Sequence, residues 1–201
     1  MAASNAQAAG GRAAGATRED VLAQATADWL ACRRIDVLGI AKTCGVGRAT
    51  IYRWFGSREA LIAEAILPVV EHRAADARAA IGGHGARAIV DTLDLVFRGL
   101  WGAPHIRAFI EQDRTAAVSL MTSSSGAVHP RLVELVRELI EREAAAGDYR
   151  PPVPAGALAH VLVRAAEGII LLNEDARDVP ADLDQLRDVC AELLSAPPRY
   201  T

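Results

Sequence analysis

Between residues 42 and 58 the chain gathers side chains suited to reading a polyanion: Lys42, Arg48, Thr50, Tyr52, Arg53 and Arg58, with Trp54 among them. Hydroxyl and guanidinium groups position a protein on phosphate oxygens, and an arginine fork matches the N7 and O6 edge of guanine in a major groove. Spacing matters as much as type. From Arg48 to Phe55, Ile51 and Phe55 lie four apart, which on a helix puts them on one inner face. Arg48, Ala49, Tyr52 and Arg53 then share an outer face, the one a groove would meet.

Several short elements must hold that face in place. Asp36 is placed as an N-cap for a helix of about two turns whose apolar side carries Leu38, Ile40 and Ala41. Gly45 supplies the backbone freedom for a sharp turn, Val46 packs inward, and Gly47 stands at the start of the next helix. Upstream, Thr17 with Asp20 three residues on reads as a capping box, followed by a stripe of Val21, Leu22, Ala25, Trp29 and Cys32. Downstream, Ser57 caps a longer helix through Ala60, Leu61 and Ala65, with a kink expected at Pro68 and an end at Gly82-Gly83-His84-Gly85. Three helices make a head, and the fourth joins it to the rest.

The run IAKTCGVGRATIYRWFGSREALI, within a stretch from about Arg18 to about Ala65, resembles the DNA-binding segment of TetR-type transcriptional repressors. The resemblance implies that Thr50, Tyr52 and Arg58 contact phosphates and that Arg48 and Ala49 approach bases; Lys42, Gly47, Arg53 and Trp54 complete the candidate DNA-binding set. Val37 stands where a capping Thr is common, Gly47 where a Ser is common, and Arg33-Arg34 where a Gly usually sits. The first two remove possible phosphate-contacting or capping hydroxyls. The implied architecture is all-α, with a tail over 1–16, a helix-turn-helix domain over 17–63 and a larger helical effector-binding and dimerisation domain over 64–201.

Composition agrees with an all-helical chain. Of 201 residues, 51% are apolar and only 4% aromatic, with little strand-type alternation. The formal net charge of -3 argues against a generally basic coat. Residues 1–60, however, hold eight basic against five acidic side chains, leaving 14 basic and 20 acidic for the remainder. A basic head on an acidic body suits a protein that offers one end to phosphate. Residues 1–16, rich in Ala and Gly, read as a disordered tail. Cys32, Cys44 and Cys190 share no metal-type spacing and read as small buried hydrophobes, with redox sensing as the sharper alternative. No run of membrane-spanning length and no signal-peptide core is apparent, so a cytoplasmic protein is expected.

In the body, Ile89, Leu93, Val96, Phe97, Leu100 and Trp101 form one apolar stripe. A weaker helical stretch runs from His105 to about Met121, and a loop covers 122–126. A helix with Leu132, Leu135, Val136, Leu139 and Ile140 on one side follows. The segment from Ala155 to Leu172 is apolar nearly all round and must be covered on every side. A homodimer interface is therefore expected from Leu158, Val161, Leu162, Ala165 and Ile169, paired with Leu186, Cys190 and Leu193 of a final helix. A lone helix-turn-helix makes few contacts, so paired heads on a palindromic double-stranded DNA operator are expected.

The family resemblance further implies an effector pocket in the body. Polar or aromatic groups interrupting apolar helices are candidates to line it: Phe97, Trp101, Phe109, Glu111, Met121, Arg164, Glu167 and Asn173. Each has a plainer reading as core or, for Arg164 and Glu167, as an intrahelical ion pair. The run AHVLVRAAEGIILLNEDARDVPADLDQL, with PRLVELVRELI before it, is similar to the carboxyl half of regulators of quorum-signal degradation that answer to lactones. That similarity implies a small, largely apolar effector, a lactone or acyl compound. A repressor without an effector shares the same head and stays open. A zinc-responsive regulator using His84 and His105 has no Cys or carboxylate constellation behind it. An enzyme is not expected: Ser123 to Ser125 lack a G-x-S-x-G context, His72, His84, His105, His129 and His160 lack metal-type spacing, and no cofactor is implied.

Overall fold

The computed structural model describes residues 15–147, 149–172, 175 and 177–198. Most of the expected 1–16 tail lies outside them. Among the described residues the chain forms α1 (Arg18–Leu30), α2 (Val37–Cys44), α3 (Arg48–Phe55), α4 (Arg58–Ala80), α5 (Gly85–Gly102), α6 (Pro104–Gln112), α7 (Arg114–Thr122), α8 (Val128–Ala146), α9 (Ala155–Leu172) and α10 (Val179–Ser195).

The head's helix ends follow the capping chemistry of the sequence. Thr17 and Asp20 form a reciprocal capping box, Asp36 accepts from the amides of Leu38 and Gly39, and Ser57 accepts from that of Ala60. Gly45 ends α2 in the left-handed region at φ 66°, where a side chain would be strained. Leu38, expected on the apolar side of α2, is 66% exposed: Val37, Ile40 and Ala41 already fill the inner stripe of a helix only eight residues long.

Two cores organise the packing. The first joins Val21, Ala25 and Trp29 of α1 to Ile40, Ile51 and Phe55, then runs along α4 from Leu61 to Val70 and reaches Leu120 and Val128. The second is built by α5, α8, α9 and α10 around Ile89, Ile140, Leu162 and Leu194. A small cluster of Ile110, Ala117 and Leu171 lies beside them. A domain boundary at 63/64 therefore falls inside the continuous helix α4, whose first half belongs to the head's core. The helix also runs through Pro68, which removes one amide donor without ending it.

The stretch after His105 is two helices rather than one. Asp113, at φ -152° and ψ 61°, ends α6 and caps α7 by accepting from the Ala116 amide. The α9 helix resolves into two faces. Leu158 and Leu162, with Leu186 and Cys190 of α10, are buried in the chain's own core, so these four, expected at a dimer interface, are occupied within the subunit. Val161, Leu172 and Val189 remain outside at 57%, 57% and 60% exposure, with Ala165, Ile169 and Leu193 half-buried. By length and composition α9 is apolar enough to cross a membrane (mean hydropathy 1.6), which the sequence reading did not grant it; it packs against α7, α8 and α10.

Candidate nucleic-acid interface and body cavity

The outer face of α3 is built as its spacing predicts. Ile51 and Phe55 are buried beneath it, while Lys42, Gly47, Arg48, Ala49 and Arg53 are exposed and Thr50 and Tyr52 half-exposed. The Arg48 guanidinium donates to the Tyr52 hydroxyl at 3.2 Å and lies 5.2 Å from the Tyr52 ring centre. The arginine is thus held along the helix before any partner arrives. Gly47 gives α3 no side-chain cap, and of the first-turn amides that of Thr50 donates to the Gly47 carbonyl at 2.9 Å. Trp54 is half-buried against the first core. Arg18 staples the unit: it pairs with Glu64 and lies over the Phe55 ring at 4.5 Å.

Arg58 is placed differently from a free phosphate contact. Its Nε donates to the Ile35 carbonyl at 3.2 Å, and its guanidinium lies 3.0 Å from the Asp113 carboxylate. Arg34 donates to the same carboxylate at 3.1 Å. Asp113 therefore receives two head arginines at the corner between α6 and α7. Burial pushes its carboxyl up, but the Ala116 amide, Arg34 and Arg58 outweigh that and hold it below the usual carboxylate value. The Gln112 amide donates to the Cys32 carbonyl at 2.9 Å, and Trp29 meets His105 of α6 edge to face at 4.5 Å. The sequence reading missed Asp113. Its signal was there, an Asp followed by helix formers inside a weak helical stretch, the pattern of an internal N-cap.

A cavity of about 350 Å³ opens where the two cores and the small cluster meet. Ile66 and Val70 of α4 face Leu93 and Phe97 of α5 across it, and Phe109 and Met121 close it on the side of α6 and α7. Charged groups gather at one end: Glu71, Arg131 and Glu138 pair with one another at 2.6 and 3.0 Å, with exposed Arg142 beside them. Of the predicted lining residues, Phe97, Phe109, Met121 and Glu167 are in the wall. Trp101 packs on the second core, Glu111 is exposed on α6, and Asn173 lies outside the described residues. Arg164 stands behind the wall, donating to the Thr122 carbonyl at 2.7 Å, to the Ser124 hydroxyl at 3.0 Å and to Glu167 at 3.1 Å.

The far end of α4 is clipped to the second core. Glu143 of α8, fully buried, accepts from Arg78 at 2.7 Å and from the Gly85 amide at 3.1 Å. The α4 helix therefore begins in one core and ends fastened to the other. His84 lies 3.6 Å from Glu143, whereas His105 meets Trp29, so the two histidines suggested for zinc serve separate contacts. Among the described residues, no group of three or more metal-ligating side chains could hold an ion. Burial pushes the Cys190 thiol up to about 11 and, with Asp20 and Asp28 adding, raises that of Cys44. Both shifts disfavour the thiolate that oxidation needs.

A basic reading helix on a three-helix head, carried by one long helix into a hollow helical body, defines a helix-turn-helix DNA-binding regulator. The bacterial regulatory protein family tetR matches residues 34–65, and the tetracyclin repressor-like C-terminal domain matches 84–195. The chain belongs to the TetR family of transcriptional regulators. Among solved structures it is similar to the R. erythropolis transcriptional repressor QsdR, with a TM-score of 0.79 and 24% identity over 92% of this chain and 97% of that one. It is also similar to the repressor AlkX of Dietzia sp. strain DQ12-45-1b, implicated in biodegradation of n-alkanes, with a TM-score of 0.55 and 22% identity over 92% of this chain and 100% of that one. At these identities the likeness is one of fold. No curated protein matches the chain in sequence.

Proposed function

We propose that this protein is a dimeric repressor of a palindromic operator, released from DNA by a small, largely apolar effector that enters the body cavity. The observation that carries this reading is the position of the cavity. It lies between the core that includes the head and the core that includes α9 and α10, bounded by α4 and by α6 and α7. A ligand filling it changes how one core sits on the other. Two connections pass that change upward: α4, and the corner where Asp113 grips Arg34 and Arg58. Coupling of the typical allosteric size, about 1–3 kcal/mol, is enough to release an operator.

The dimer is proposed through exposed Val161, Leu172 and Val189 with half-buried Ala165 and Leu193 beside them, since an apolar stripe on two adjacent helices invites a two-fold mate. A lactone or acyl effector follows the resemblance of the carboxyl half to the quorum-signal-degradation regulators, and repression accords also with the likeness to QsdR, a transcriptional repressor. A cytoplasmic setting is part of this reading. Thermal-shift measurements with lactones, acyl chains and aromatic acids, paired with operator titrations, test the reading. Stabilisation by an apolar acyl or lactone compound that also weakens operator binding at least fivefold is expected. No stabilisation by any of them, or a monomer that binds a half-site as well as the full palindrome, would overturn it.

A further inference from the structure

Glu167 is the feature of the cavity that an apolar-effector reading leaves unused. It lies on α9, one of the most apolar helices of the chain, with its side chain 5% exposed. A carboxylate in such a place is costly unless it is held, and this one is held by two partners. His129 Nδ1 lies 2.7 Å from Oε1, and Arg164 donates to Oε2 at 3.1 Å while also gripping the Thr122 carbonyl and the Ser124 hydroxyl. Of the other polar groups of the wall, Arg142 stands exposed at the charged end, and the rest are committed elsewhere. The Thr92 hydroxyl donates to the Ala88 carbonyl at 2.6 Å, and Glu71, Arg131 and Glu138 form an ion-paired cluster, each over a third exposed. An ionised carboxylate offers about four lone-pair positions, of which two are used here.

We propose, building on the acyl-effector reading, that Glu167 selects an effector with a hydrogen-bond donor: an uncharged acyl amide, its chain among Phe97, Phe109 and Met121 and its N–H on the carboxylate. A fatty-acid anion, which offers only acceptors, has no hydrogen to place on that carboxylate. The carboxylate also gives an ester nothing to accept, leaving two acceptors opposed. A hydrogen bond to a charged group within such a wall corresponds to roughly tenfold or more in affinity.

The test uses the full chain and three probes of equal chain length: N-methyl decanamide, methyl decanoate and decanoate, titrated by calorimetry at neutral pH. The amide is expected to bind about tenfold or more tightly than the ester, with decanoate weaker than the amide. In Glu167→Gln, whose folding is checked by its melting curve, the margin of amide over ester shrinks. An ester equal to the amide, or decanoate as the tightest probe, overturns the role of Glu167 while leaving an acyl effector standing. Binding by none of the three removes the acyl-effector reading and this inference with it. If Glu167→Gln does not fold, the three affinities of the unaltered protein still decide.

Discussion

The two cores are built from the same few residue types and each is dense at its centre, yet the packing between them is not. Around the head, Val21, Ala25, Trp29, Ile40, Ile51 and Leu61 are all at or below 2% exposure, so the reading helix is fixed to a dense unit. The body's core is equally dense around Ile89, Ile140 and Leu194, but where it meets the head's core the packing gives way to a 350 Å³ cavity. The difference teaches where regulation can enter. A filled core has one arrangement, whereas a gap between two filled cores can be occupied or empty.

Substitutions in the two places are expected to behave in opposite ways. Trp29→Ala removes the largest side chain of the head's core and is expected to cost about 3–5 kcal/mol in a denaturant titration; a loss under about 1 kcal/mol would mean that the head is not the dense unit described. Adding volume separates the regions more finely. Ala65→Leu, at a 1% exposed site in the filled core, is expected to cost about 1–3 kcal/mol from overpacking. Ala166→Leu points the same three carbons toward the cavity, and its melting temperature is expected to hold or rise while stabilisation by acyl compounds falls. Equal destabilisation by both would erase the contrast.

On the reading helix the effects are smaller and concern preference. Arg48→Ala is expected to weaken operator binding by about 1–3 kcal/mol and to relax base preference, since a bidentate arginine carries discrimination of that size. Tyr52→Phe removes the hydroxyl that holds Arg48 and is therefore expected to loosen preference as well as affinity, on a smaller scale. The sequence alone assigned Tyr52 to phosphate and left preference to Arg48. Operator and random-DNA affinities measured side by side decide, and an unchanged ratio for Tyr52→Phe would restore that division.

Much of the head was legible because its signals are local. A capping box, an N-cap, a left-handed glycine and residues four apart are written within a few positions of one another, and the structure places Thr17, Asp36, Gly45 and Ile51 accordingly. Leu38 went astray because an eight-residue helix offers only a narrow inner stripe. The body was legible as helices but not as faces. An all-apolar α9 does not say which side its own chain covers, so Leu158 and Leu162 were assigned outward and turned inward. Asp113 escaped for a related reason: its partners, Arg34 and Arg58, lie 79 and 55 positions away, and no periodicity reaches that far.

That corner gives the most direct test of the proposed coupling. Asp113→Asn keeps a good N-cap for α7 but removes the charge that Arg34 and Arg58 share. Operator affinity would be measured for the unaltered protein and for Asp113→Asn, each with and without a saturating acyl ligand shown by calorimetry to bind both alike. Ligand is expected to weaken operator binding at least fivefold in the unaltered protein and by less than about twofold in the variant, within the usual range of allosteric coupling. An equal weakening in both would contradict the proposed coupling, and would leave α4 to carry the signal without the Asp113 corner.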